Sequence, residues 1–178
     1  IRTTGGNYTQ RAESSANVLV ITVAAAGSSS NAIGGNLGAI VMKNRSNALI
    51  GKQVSITADG NVTVKALQNS ELYLIAASAA VSGSRTAAGG TLNVTVNGTE
   101  ANVTVNDGTT IRSEKGSVVL NADTKEKLIS VLASASAALG GTGAAGVLSV
   151  LVSGSKTVAD IGKVTIYAKK DVQILATA

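Results

Sequence analysis

The chain has 178 residues, 44% of them apolar, with Tyr8, Tyr73 and Tyr167 as its only aromatic side chains and no Pro, Trp, Phe, His or Cys. Without Cys there is no disulfide or thiolate chemistry, and without Cys and His the usual zinc and copper ligands are gone. The net charge of +5 comes from 15 basic and 10 acidic residues spread mostly singly from Arg2 to Lys170; this is a solvated, mildly cationic surface rather than a nucleic-acid groove, which clusters Lys and Arg among stacking aromatics.

Along the chain, period-two alternation is the dominant signal. Val18 to Ala26 opens the series as a long apolar segment, and Gly34-Gly35 is expected to turn the chain after it. Val54-Ser-Ile-Thr-Ala58 and Asn61-Val-Thr-Val-Lys-Ala66 follow, joined at Asp59-Gly60; each reads as a half-buried strand with apolar side chains in and Thr, Ser or Lys out. Leu72 to Val81, Gly89-Gly90, Leu92-Asn-Val-Thr-Val-Asn97 and Asn102-Val-Thr-Val105 repeat the sequence of events, with further corners at Asn97-Gly98, Asn106-Asp107-Gly108 and Lys115-Gly116. Leu128 to Leu139, Gly140-Gly141, Val164-Thr-Ile-Tyr-Ala168 and Val172 onward make the last copy. The Ala-rich segments would suit a helix, Ala being its best former, but Ser recurs at every second position at Ser134 and Ser136, so strand is favoured.

The copies keep register. Leu37, Leu92 and Leu148 each follow a glycine two positions back, and Val62, Val118 and Val172 head matching runs at spacings of 56 and 54. A repeat of about 55 residues that cannot close a core alone implies a solenoid. The expected fold is all-β, a right-handed parallel β-helix, with residues 1–178 forming a single β-helix and approximate repeats at 14–69, 70–125 and 126–178. Five or six short strands per repeat would give two to three coils each and a rod of roughly 30 to 45 Å. Val54, Ile56, Val62, Val64, Leu92, Val94, Val96, Val118, Leu120, Val164, Ile166, Val172 and Ile174 are expected to point inward, and Thr63, Thr95, Thr104 and Thr165 outward.

No catalytic, cofactor or metal residue is assigned. Nearly all ten acidic residues are expected at corners. Glu71 and Glu126, taken as equivalent positions, would lie roughly 10 to 14 Å apart, too far for a retaining glycosidase and at or beyond the inverting limit. Asn106-Asp107-Gly108 offers oxygen ligands for calcium but matches no calcium-binding repeat and reads as a turn. Six Asn-x-Ser/Thr triplets, at Asn7, Asn44, Asn61, Asn93, Asn97 and Asn102, arise naturally from alternating Asn and Thr. An ice-binding face would need ranks of Thr-x-Thr, and the chain has no such triplet. The uncharged stretches 14–42 and 128–155 carry too much Gly, Ser and Asn for a lipid-spanning helix, so the chain is expected not to be transmembrane. It starts at Ile1 without an initiator Met, which points to a piece of a longer protein.

The succession of an Ala/Ser-rich apolar strand, Gly-Gly, Val-x-Val, an Ala-x-Ile-Gly-Lys corner and Val-x-Ile-x-Ala resembles the repeats of leukotoxin-like filamentous adhesins, very large exoproteins exported by two-partner or autotransporter routes in Gram-negative bacteria. The most specific elements are Ala48-Leu-Ile-Gly-Lys52 with Val54-Ser-Ile-Thr-Ala58 and Ala159-Asp-Ile-Gly-Lys163 with Val164-Thr-Ile-Tyr-Ala168. The middle copy departs, with Ala101-Asn-Val-Thr-Val105 and Ile111-Arg-Ser113. The resemblance implies a secreted or bacterial cell-surface stalk or toxin segment with a right-handed β-helix, and it brings no catalytic residues. Without His or paired carboxylates the chain is expected not to be an enzyme and to use no cofactor, and its dispersed charge leaves weak contact with host cells or anionic glycans beside the flanking repeats of the same chain. The competing expectation from the residues is a carbohydrate-active β-helix, of lyase or hydrolase type, with an ice-binding solenoid further behind.

Overall fold

The computed structural model describes all 178 residues and contains no helix. Eleven strands follow one another: β1 (Arg2–Thr3), β2 (Tyr8–Ser28), β3 (Asn31–Ile50), β4 (Ser55–Ala58), β5 (Val62–Ser82), β6 (Thr86–Val105), β7 (Thr110–Ser113), β8 (Val118–Ala138), β9 (Thr142–Ile161), β10 (Thr165–Ala168) and β11 (Val172–Thr177). They stack into three parallel sheets: a short one, β1-β4-β7-β10, a first long sheet, β11-β8-β5-β2, and a second long sheet, β3-β6-β9. The chain is therefore a parallel β-helix, and its register is the 55-residue repeat. Leu37 lies beside Leu92 and Leu92 beside Leu148, while Val62 lies beside Val118 and Val118 beside Val172.

One repeat is one coil, not two or three. Period-two alternation runs without interruption through Gly34-Gly35, Gly89-Gly90 and Asn97-Gly98, so the strands reach 20 or 21 residues. Of the three Gly-Gly pairs expected to turn the chain only Gly140-Gly141 does, whereas Asp59-Gly60, Asn106-Asp107-Gly108 and Lys115-Gly116 lie at corners as expected. At about 3.3 Å per residue each long strand is about 65 Å, whereas the stack rises by only about 15 Å. The molecule is a broad blade rather than a rod. In the pairs Gly34-Gly35 and Gly89-Gly90 the inward-facing glycine serves close approach of the two long sheets. A Cβ on Gly34 would sit 2.5 Å from the Ala79 carbonyl oxygen, and one on Gly89 would sit 2.7 Å from that of Ala135.

The blade has two halves. At the proximal end the three sheets enclose an apolar prism that includes Ile50, Ile56, Val62, Val64, Val103, Val105, Ile111, Val118 and Leu120, with Val54, Val164 and Ile166 packed against it. β-Branched residues fill such a narrow layered space well. Its corners are tied between coils by side chains: Asn7 Oδ1 accepts from Asn61 N at 2.7 Å, Asn61 Oδ1 from Ser117 N at 2.9 Å, and Asp107 Oδ1 from Lys163 N at 2.7 Å. The middle copy does not break the pattern. Val103 pairs with Ala48 and Ala159, and Ile111 with Ile56 and Ile166, so the equivalent corner begins two residues later than the sequence comparison placed it.

The distal half inverts expectation. Val103 and Val105 face the prism, and β6 contains no bulge that would change parity. Odd-numbered residues consequently face inward along the whole strand, and Thr91, Asn93, Thr95, Asn97 and Thr99 are buried. Leu92, Val94 and Val96 point outward, contrary to the sequence expectation, and Thr95 points inward. Val172 and Ile174 keep the inward register of Val118 and Leu120 but stay half-exposed where no further coil covers them.

Candidate functional site

The outer face of the second long sheet carries the most differentiated surface. In β3, β6 and β9 the outward residues Leu37-Ala39-Val41, Leu92-Val94-Val96 and Leu148-Val150-Val152 stack in register. They form an aliphatic plate because the parity set in the prism turns every second side chain of these strands to solvent. Along one border runs a shallow groove of about 580 Å³, cut by the glycine column Gly35, Gly90 and Gly146 and walled by Leu37, Leu92 and Leu148. Along the other border lies a polar groove of about 350 Å³ containing Lys43, Arg45, Gly98, Glu100, Gly154 and Lys156.

Glu100 is the centre of that polar groove. Its carboxylate accepts from Arg45 Nε at 2.7 Å and Asn102 Nδ2 at 2.7 Å, and Lys156 Nζ stands 3.7 Å away. The hydrogen bond from Asn102 first, then that from Arg45, with the Arg45 and Lys156 charges added, hold its carboxyl below the usual value. Both bonds favour the charged form. Such a group stays ionised near neutrality, so it suits an anchored ion pair and is ill suited to a general acid. Arg45, Glu100 and Lys156 are 55 and 56 residues apart, the repeat itself, and that spacing is the signal that could have placed them in one column.

Other acidic residues are dispersed, and six of the ten lie within long strands rather than at corners: Glu13, Glu71, Glu100, Asp123, Glu126 and Asp160. Glu71 and Glu126 are not equivalent, since Glu71 pairs with Lys127 and Ser70 with Glu126. Glu71 is on the outer face, where its Oε2 accepts from the Tyr73 hydroxyl at 3.2 Å. Glu126 points between the sheets and accepts from Asn97 Nδ2 and Ser153 Oγ. No group of three or more Asp or Glu gathers as a metal centre. Asp107 is used at its corner, with the Lys163 amide on its Oδ1 and Gly108 at φ 73°.

The asparagines of the Asn-x-Ser/Thr triplets divide by location. Asn93 and Asn97 are 1% and 2% exposed between the sheets, beyond the reach of a transferase acting on the folded chain. Asn7 and Asn61 are spent on the corner ladder. Basic residues are partly neutralised in place, Arg11 by Glu13 at 2.7 Å and Arg112 by Glu114 at 2.5 Å. Arg112 also stacks on Tyr167, 4.6 Å from the ring centroid, and Lys127 lies 5.2 Å from that of Tyr73. No protein-family model, no curated protein and no solved structure matches the chain.

Proposed function

We propose that this chain is a non-catalytic structural segment of a secreted or surface-exposed bacterial exoprotein of the adhesin or leukotoxin type, serving as a rigid support and a broad contact surface. The observation that carries this reading is the unbroken register: every coil repeats its predecessor across all three sheets, with offsets of 54 to 56 residues. A chain built this way grows by adding coils and presents repeated faces instead of one cleft. Its corners are two to four residues long, leaving no loop from which a specific pocket would normally be made.

Two grooves with carboxylates bear on the carbohydrate-active reading: one of about 250 Å³ in which Glu13, paired with Arg11 at 2.7 Å, stands two coils from Asp123, and the groove of Glu100. Glu100 there is held ionised and its oxygens are already engaged, so a second, protonated carboxyl that glycoside chemistry needs has no candidate beside it. Heparin serves as the probe. Weak retention released well below about 0.5 M salt is expected of scattered surface charges, because screening at that strength acts within a few ångströms. Saturable heparin binding that survives such salt, or polysaccharide turnover abolished by Glu100→Gln, would replace the support reading.

A further inference from the structure

The outer faces of the distal half contain almost nothing that water can bind. On the first long sheet the outward residues are Leu19, Ile21, Val23, Ala25 and Gly27 in the first coil, and the coils stacked on it present Tyr73 to Val81 and Ile129 to Ala137 in the same parity. On the second long sheet the outward positions from Ile33 to Val41, Ala88 to Val96 and Ala144 to Val152 are all Gly, Ala, Val, Leu or Ile. Tyr73 is the one hydroxyl among these outward side chains. Many of them are well exposed, Val23 at 75% and Leu37 at 73%. Hydroxyls and amides of the same stretches turn inward and bond to one another: Asn36 Nδ2 donates to Thr22 Oγ1 at 2.8 Å, Thr91 Oγ1 to Ser78 Oγ at 3.0 Å, and Ser78 Oγ to Ser134 Oγ at 3.0 Å. The interior mixes these polar groups with buried Leu72, Leu74, Ala76 and Ala80, so the outer faces are more uniformly apolar than the inside, as in strands that stand in lipid and not in water.

Dimensions and borders agree with that medium. Each band is nine residues long, about 30 Å at 3.3 Å per residue, which equals the hydrocarbon thickness of a bilayer. The bands on the two opposite faces lie at the same height. Charges resume on the proximal side of them: Glu13 and Lys43 flank the distal stretch of the first coil, Glu71 and Glu100 that of the second, Lys127 and Lys156 that of the third. Tyr73 sits in that border row with Lys127 over its ring, the place where amphipathic aromatics and lysines settle at a headgroup layer. The far tip is short, Ser29-Ser30 in the first coil, Gly83-Ser84-Arg85 in the second and Leu139-Gly140-Gly141 in the third. A second copy of the chain fits less well. One face measures roughly 400 Å², so a two-copy contact would bury roughly 800 Å², short of the ~1,200 Å² of a stable interface, and would leave the opposite face bare.

We propose that the distal half of the blade inserts into a lipid bilayer, tip first, with its two aliphatic faces against hydrocarbon and the Glu71, Tyr73, Lys127 row at the headgroups. No helix is long and apolar enough to cross a membrane; the spans are strands, two per coil, and the uncharged stretches 14–42 and 128–155 are pairs of them. Strand edges at the two ends of the stack cannot stay unpaired in hydrocarbon. Insertion therefore proceeds by copies joined edge to edge and rises steeply with protein concentration.

The chain has no Trp, so an introduced indole reports one position. Val23→Trp and Val94→Trp place it on the two distal faces, and Thr104→Trp places it on the outer proximal surface. The three proteins are mixed with vesicles of phosphatidylcholine alone or with phosphatidylglycerol. Flotation with both kinds is expected, and brominated lipid should quench positions 23 and 94 at least about threefold more than position 104. Val94→Lys with Val150→Lys should lower flotation about tenfold while the β-sheet spectrum is kept; if that pair unfolds, Leu37→Gln with Val41→Gln carries the same test. Four results would overturn the proposal. They are absence of flotation at lipid excess, binding to anionic vesicles alone that salt reverses, protection of the position-94 indole from aqueous quencher in a lipid-free monomer, and lipid-free oligomers that bury that indole and need no vesicle.

Discussion

Introducing one carboxylate at each of two positions of β6 measures the parity on which the distal half depends. Val103 is 0% exposed in the prism, between Ala48 and Ala159 and in one core cluster with Val64 and Leu120. Val94, nine residues earlier, lies on the opposite face. Val103→Asp removes about 1.5 to 2 kcal/mol of aliphatic burial and places a carboxyl where nothing basic can pair with it, a further ~2 to 3 kcal/mol even when the group is neutral. A loss of about 4 kcal/mol lowers the melting temperature of a chain this size by about 8 to 16 °C. Val94→Asp faces solvent and should cost under about 1 kcal/mol. The pH dependence is a second signature. Burial raises the folded-state pKa of the carboxyl introduced at position 103 above its unfolded value of about 3.9, so the ionisation penalty is absent below that value and grows as pH rises through the gap. The Val103→Asp protein should gain stability on going from pH 7 to pH 4 relative to the parent, and Val94→Asp should not. Chemical denaturation at the two pH values decides the matter. An equal or larger cost at position 94 would mean that the aliphatic plate faces inward and that the account of the distal half is wrong.

Gln53 adopts φ 56° at the corner where the next coil has Gly108 at φ 73°; Gln53→Gly should relieve that strain and stabilise the fold by about 0.5 to 1 kcal/mol, net of the entropy that glycine adds to the unfolded chain, as read from the denaturation midpoint. Gly89→Ala should cost about 1 to 3 kcal/mol, because its Cβ would meet the Ala135 carbonyl oxygen at 2.7 Å, whereas Gly146→Ala enters open space and should be neutral or mildly stabilising. Comparing their urea midpoints tests whether inward glycines mark sheet contact. The lowered folded-state value of Glu100 means its contribution is present above the ordinary 4.5 and is lost as pH falls through the depressed value; acid unfolding followed by circular dichroism should show the parent losing more stability than Glu100→Gln across that window, and parallel curves would count against the Arg45 and Asn102 contacts.

Much of the fold was legible because β-structure in a solenoid writes its register into the chain. Identical neighbours must stack for every coil to bury the next, so Leu37, Leu92 and Leu148 recur at the coil length, and the column Arg45, Glu100 and Lys156 could have been found the same way. Alternation of Val with Thr at Val54 to Ala66 located strands and told inside from outside there, since the prism gives apolar side chains a place to go. Handling of glycine was the weak point. A Gly-Gly pair has the same local signature whether it bends the chain or lets two sheets approach, and only the position of Ala79 and Ala135 across the blade distinguishes the two cases.

What tertiary structure alone decided is the sense of the alternation far from the prism. In Leu92-Asn-Val-Thr-Val-Asn97 the pattern says that one set of side chains is apolar and the other polar, and an expectation formed in water assigns the apolar set to the interior. Parity, however, is inherited along an unbulged strand from Val103 and Val105, about ten residues away, and the outcome is the reverse. Coil length was fixed in the same non-local way: the chain turns where the short sheet closes the prism and at the far tip, and no residue within the long strands announces that it will not turn there.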